Sequence, residues 1–348
     1  MYLCSLNTKS YYIMSGKTQR FDEISVMRVM AMLMIIAFHS MCFYNGRWSK
    51  VDALYIPFWY KVSAFLDVVD LNMFVFISGY LYGYLYIFRN KYYHRAEVIR
   101  NKIIRLLIPY CFWGVIMVAF PWNTWSKLLY GISHLWFLLM LFGVFTLAVI
   151  LQILNDQKIK FSAKSGVALI IIAYLFMYVF TKYINPLDFL CANRILYYFQ
   201  AFMIGYLCAK LQVGWIMAGW SFFLLPLAVL ALVVCICVRL PIPYSMLILL
   251  KSIFAYVICV TLLIILSKIT LFEWSRTIIQ RIEELSMGIY IFNQIAMDLT
   301  FTTPVLHRWF EIHWMIGPFV LFVIGFFPPM LLSYLFNKTK WLQWTIGG

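Results

Sequence analysis

Charge is what this chain lacks most. Asp, Glu, Lys and Arg make up 12% of its 348 residues, against about a quarter in a soluble domain. Acidic residues are the scarcest, 13 against 28 basic ones. Apolar residues account for 64% and mean hydropathy is +0.87, which excludes a soluble globule. Long polar stretches are also missing. The longest are the N-terminal two dozen residues and the segments near 45–63 and 89–105, all too short to fold around a core of their own. A single domain over 1–348 with a short polar segment 1–23 is therefore expected. G-x-x-x-x-G-K-[ST], H-E-x-x-H and G-x-S-x-G are absent, so ATP hydrolysis, zinc proteolysis and the serine-hydrolase elbow have no support. The eight cysteines include no C-x-x-C and no zinc-like Cys/His spacing. They read as packing residues, the alternative being a thiolate–imidazole pair at Cys42, three residues after His39. No metal is expected. Nucleic acid is not an expected partner either, because no basic stretch is interleaved with aromatics on a soluble segment.

What is present is a series of apolar runs of about 20 residues, the length that crosses a bilayer. They fall near 24–44, 64–88, 103–121, 132–154, 165–183, 194–212, 216–238, 245–267, 285–303 and 313–336. The chain reads as an all-α polytopic membrane protein, a bundle of about ten transmembrane helices. The first run is not followed by a small-residue cleavage site and reads as a retained span. If it runs outward, about 18 Lys and Arg fall on one side of the membrane and about 8 on the other. The positive-inside rule then makes both termini and the 89–102 loop cytoplasmic, so the net charge of +15 is mostly a topology signal.

Two ionisable residues interrupt the first run. Arg28 and His39 stand eleven residues apart. Eleven steps of about 100° come within roughly 20° of three turns, so the two share a helix face about 16 Å apart. Ionisable groups in hydrocarbon are costly and are functional candidates by default. An arginine near one membrane face with an imidazole deeper in suits anion capture followed by proton transfer. The plain alternative is an arginine reaching the headgroups and a hydrogen-bonded packing histidine.

The segment R-F-D-E-I from Arg20 to Ile24, leading through Arg28 to His39, resembles the opening of the bacterial acyltransferase type 3 family, whose members O-acylate surface polysaccharides, lipopolysaccharide and related glycans. Three further segments agree in order: F-V-F-I-S-G-Y-L around Ser78 and Gly79, K-I-I-R-L-L-I-P-Y around Arg105, and S-H-L-W-F-L-L-M-L around His134 and Trp136. A fifth, E-L-S-M-G-I-Y-I-F-N-Q from Glu284 to Gln294, is similar to the family's S-Y-x-x-Y-L-x-H segment, with Asn293 where the family has histidine. The resemblance implies a ten-span core in the bacterial cytoplasmic membrane, His39 as the catalytic residue, and Arg28 and Arg105 as essential arginines. It implies no cofactor beyond an acyl-CoA donor substrate, a glycan acceptor, and contact with polysaccharide-synthesis machinery. Asn293 removes a titratable group that the family has.

Those residue types fit that chemistry. An acyl-CoA is a cytoplasmic polyanion whose phosphates suit the forked arginine side chain, and Arg28 and Arg105 open spans one and three from that side. A sugar hydroxyl becomes nucleophilic when a base such as a neutral imidazole withdraws its proton.

Other residues carry two readings each. Ser78 with Gly79 is a small-residue helix contact or a nucleophile site. His134 and Trp136 are interface anchors or acceptor contacts. Asp22 caps the first helix or pairs with an arginine. Asp67 and Asp70 line the acceptor entrance or lie among headgroups, and Glu283 and Glu284 offset Arg281 as a solvated pair. A transporter of polysaccharide or acyl groups is the alternative function, against which stands the lack of an internal repeat. A structural part of a synthesis complex would leave the Arg28–His39 geometry unexplained.

Overall fold

The computed structural model describes residues 21–46, 54–89, 94–119, 123–156, 188–213, 218–238 and 240–348, with isolated positions between 168 and 185. Helix dominates, and the β pairing among the described residues is one bridge, Asn45 to Tyr55. In chain order the elements are α1 (Asp22–Cys42), α2 (Pro57–Arg89), and α3 (Arg95–Lys102), which passes through a π turn (Ile103–Leu107) into α4 (Ile108–Val118). Then come α5 (Lys127–Tyr130), a 3-10 turn (Ser133–Leu135), α6 (Trp136–Asp156), α7 (Ala192–Lys210), α8 (Ala218–Cys237) and α9 (Tyr244–Leu266). The chain closes with α10 (Glu273–Phe301), α11 (Pro304–Ile312), α12 (Gly317–Lys338) and a 3-10 turn (Gln343–Ile346).

Seven helical stretches among the described residues are long and apolar enough to cross a membrane: α1, α2, α3 with α4, α5 with α6, α8, α9 and α12. The protein is a multi-pass helical bundle. Helices α7 and α10 have 19 and 29 residues and a more polar composition. The expected span over 165–183 falls almost wholly outside the described residues.

Three helices begin earlier than the apolar runs that predict them, at Pro57 for 64, Arg95 for 103 and Glu273 for 285. Hydropathy marks only the part of a helix that meets hydrocarbon, whereas backbone bonding continues wherever the polar side chains find water or a partner. Pro57 supplies a preset φ at the first helical position. On α10 the extra turns carry Arg276 and Glu283, both paired with α1.

Helix α1 sits at the centre, packed against α2, α9, α10 and α12. Its buried residues, from Ile24 and Met27 through Ile35 and Ile36 to Cys42, lie on every side, the pattern of a helix surrounded by others. Helices α2 and α7 approach most closely. An added Cβ on Gly79 would stand 2.0 Å from the Phe202 carbonyl oxygen, and one on Gly205 2.0 Å from that of Phe76. These reciprocal glycines let two backbones touch, the small-residue packing that replaces the hydrophobic effect in lipid. Tyr82 donates to Gln152 Oε1 at 2.5 Å across α2 and α6, and the Tyr197 and Ser252 hydroxyls meet at 2.9 Å across α7 and α9; such polar ties add modestly in a membrane.

Candidate active site

The site lies between α1 and α10, which run side by side in the same direction. Asp22 pairs with Arg276, Arg28 with Glu283, and His39 with Asn293, at separations of 254, 255 and 254 residues. A near-constant offset means the two helices climb in lockstep, each pair a rung. At the lowest rung Arg276 Nη2 and Asp22 Oδ2 are 2.6 Å apart, with Nε 2.8 Å from the same oxygen. Asp22 makes no side-chain cap for α1. Of its two readings, the structure shows the ion pair.

Arg28 forms an ion pair through Nη1 with Glu283 Oε1, while Ser25 donates to Glu283 Oε2 at 2.6 Å. The expectation that both Glu283 and Glu284 offset Arg281 is half corrected. Glu284 lies 3.6 Å from Arg281 in an exposed i,i+3 pair, but Glu283 faces the bundle, where the half-buried Arg28 gains more from it than an exposed arginine would. Arg105 stands exposed on the π turn, a helix irregularity frequent at functional sites. The C-terminal turn docks beside it: Trp113 Nε1 donates to Thr345 O at 2.8 Å, and Gly347 abuts the Arg105 carbonyl. Lys102, one turn earlier, holds its ammonium 3.7 Å from the Phe145 ring centre and has Arg105 and Arg28 as charged neighbours. The structure thus gathers Arg28, Lys102 and Arg105 at the end of the bundle where α1 begins.

His39 lies three turns further along α1. It is 8% exposed and its Asn293 partner 0%. Asn293 Nδ2 donates to the carbonyls of Ile289 at 3.2 Å and Tyr290 at 2.5 Å. Carbonyls only accept, so the amide nitrogen must face them, and the amide oxygen faces His39 Nδ1 at 2.7 Å. Nδ1 therefore carries the hydrogen, and a neutral ring has its lone pair on Nε2. An imidazole whose tautomer is fixed by an orienting group is the arrangement found in hydrolase triads. A neutral amide orients the ring without supplying the charge that a carboxylate would add.

His134 joins this site. Its ring centre is 6.0 Å from that of His39, edge to face. Nε2 donates to Ile291 O at 2.9 Å, and the Tyr290 hydroxyl donates to the His134 carbonyl. Ser133 beside it, with φ of +46°, places Oγ 3.3 Å from Gln294 Oε1. Asp70, 2% exposed, lies within the bundle with Tyr290 and Tyr198 in electrostatic reach; of its two readings, a place among headgroups is excluded.

Ser78 and Trp136 stand apart from this cluster. Ser78 Oγ donates to Phe74 O within its own helix at 3.0 Å, beside the Gly79 contact. Trp136 has the Arg194 guanidinium 4.5 Å over its ring and Tyr198 next to it, the surroundings of a packed anchor. Arg194 is in turn held 2.9 Å from Asp188. Burial raises the neighbouring Cys191 thiol to about 11, so it stays protonated at neutral pH and serves as packing.

Ser25 and Lys102 are members of the site that sequence reasoning does not single out; they sit in apolar or basic runs that give no pointer. Sequence reasoning notices Glu283 but gives it the wrong partner, and it shows Tyr290 only as part of a motif. Comparison with curated proteins and with solved structures yields no match. A family model described as an acyltransferase domain matches residues 21–338, a stretch that contains every residue of the α1–α10 ladder, and the chain belongs to the acyltransferase type 3 family of membrane proteins.

Proposed function

We propose that this acyltransferase moves a short acyl group, acetyl above all, from acyl-CoA on the cytoplasmic side to a hydroxyl of a cell-surface glycan or its lipid-linked precursor, in the bacterial cytoplasmic membrane. The carrying observation is the His39–Asn293 bond, which leaves Nε2 as the base nitrogen of a buried imidazole. In the reaction the acceptor oxygen attacks the thioester carbonyl as its proton passes to Nε2. The C–S bond then breaks, and the proton goes on to the CoA thiolate. The basic group at Arg28, Lys102 and Arg105 lies about 16 Å back along α1, a distance that a pantetheine arm covers while its phosphates stay at the cytoplasmic mouth. The whole of 1–348 acts as one unit in this reading.

In proteoliposomes, labelled acetyl-CoA on the side of residues 94–105 is expected to yield labelled ester on a hydroxylated acceptor together with free CoA. Label crossing the bilayer without ester formation would point to the transporter instead. Arg105→Ala is expected to raise KM for acyl-CoA several-fold, and rising salt should weaken donor binding as exposed charges are screened. An unchanged KM would remove Arg105 from the donor site. Asn293→Leu, which deletes the acceptor for Nδ1–H, is expected to lower kcat about tenfold to a hundredfold, the worth of a hydrogen bond to a group that becomes charged, at unchanged CoA affinity. A normal kcat in that variant would show that the ring needs no orienting partner.

A further inference from the structure

Arg28 cannot grip a donor phosphate while Glu283 holds it. Two donors from one face of α1 converge on this carboxylate: Ser25 Oγ on one oxygen and Arg28 Nη1 on the other. Ser25 is 6% exposed, and the Arg28 and Glu283 side chains 26% and 16%. A hydroxyl and a guanidinium placed one turn apart to receive two oxygens are the donor set that a phosphate takes. Lys102 lies in electrostatic reach of Arg28, and Arg105 in reach of Lys102, so further basic side chains adjoin the pair.

We infer that Ser25 and Arg28 form an anion subsite for a phosphate of the donor, and that Glu283 fills it as an internal stand-in until the phosphate displaces it. The inference rests on the acyl-CoA reading. Without ligand, Glu283 neutralises an arginine whose charge would otherwise stand alone in an apolar bundle. With ligand, a phosphate offers more charge and more acceptor oxygens, and can engage a second guanidinium nitrogen where Glu283 receives only Nη1. Competition for one site has a sign that a permanent structural pair does not share: removing the competitor tightens the ligand.

The test is CoA binding to the purified full-length protein in detergent, by calorimetry. Glu283→Gln keeps the side-chain size and removes the competing charge, and is expected to bind CoA about tenfold more tightly than wild type. Ser25→Ala removes a donor to the phosphate and is expected to bind CoA about threefold more weakly than the parent when made in the Glu283→Gln background. If Glu283→Gln does not give a monodisperse protein, Glu283→Asp, which withdraws the carboxylate by one methylene, carries the same expected sign. CoA affinity unchanged or weaker in both Glu283 variants, with wild type binding measurably, would overturn the subsite and leave the donor reading standing. No CoA binding by wild type or by any variant would overturn both.

Discussion

Replacing His39 with alanine is expected to reduce acyl transfer by a factor of about 10² to 10⁴, the usual contribution of a positioned general base, while CoA binding stays at its wild-type value. The split follows from geometry. The basic group and the imidazole are three turns of α1 apart, so the donor's phosphates are held by residues that the substitution does not touch. Accumulation in the membrane should also be near normal, because the Asn293 amide that His39 leaves behind keeps two hydrogen bonds of its own to backbone carbonyls. Transfer kinetics with acetyl-CoA and CoA calorimetry on the same preparation give both numbers. Full transfer by the alanine variant would refute the assignment of the base, and would shift attention to His134, whose ring is the nearest other imidazole.

The largest effect on folding is expected at the α2–α7 contact. Gly79→Ala and Gly205→Ala each put a methyl group 2.0 Å from a backbone carbonyl oxygen of the facing helix. Backbone cannot swing aside as a side-chain end would, so the helices must part along their length. Overpacking of this kind costs about 1–3 kcal/mol, and these two positions belong at the top of that range. Loss of the monodisperse peak in fluorescence-detected size exclusion, or a melting temperature lower by several degrees, is the expected result. Gly219→Ala is the control, since an added Cβ there meets nothing within 4 Å and helix propensity favours alanine by about 1 kcal/mol. Equal behaviour of all three variants would show that the helices have slack at the glycines.

The face shared by Arg28 and His39 was legible because helical periodicity is a local property. Their partners were not. Glu283 and Asn293 sit 255 and 254 residues away, and nothing in the spacing of α1 says which later helix lies beside it. Helices α7 and α10 were legible as the runs 194–212 and 285–303, although they line the interior with residues such as Gln200, Asn293 and Gln294, polar groups that serve the bundle and lower the hydropathy by which a span is found. The opening turns of α2, α3 and α10 were read as loops because their charges resemble loop composition, although on α10 two of those charges hold α1. His134 was visible as a motif residue, but its approach to His39 depends on the tight turn at Ser133, whose left-handed φ no residue preference would suggest for a serine.

The lockstep of α1 and α10 also sets an order of events in biosynthesis. Helix α1 leaves the ribosome before α10, and the residues that complete its rungs follow about 254 positions later. At about 5–20 residues per second that interval is on the order of ten seconds to a minute. Throughout it, Arg28 and His39 must reside in lipid or translocon without Glu283 and Asn293. The insertion of α1 therefore rests on its own apolar residues, and His39 meets the amide that fixes its tautomer only after α10 has been made. A nascent chain halted after α9 would be a membrane-inserted protein whose imidazole has no Asn293 to orient it.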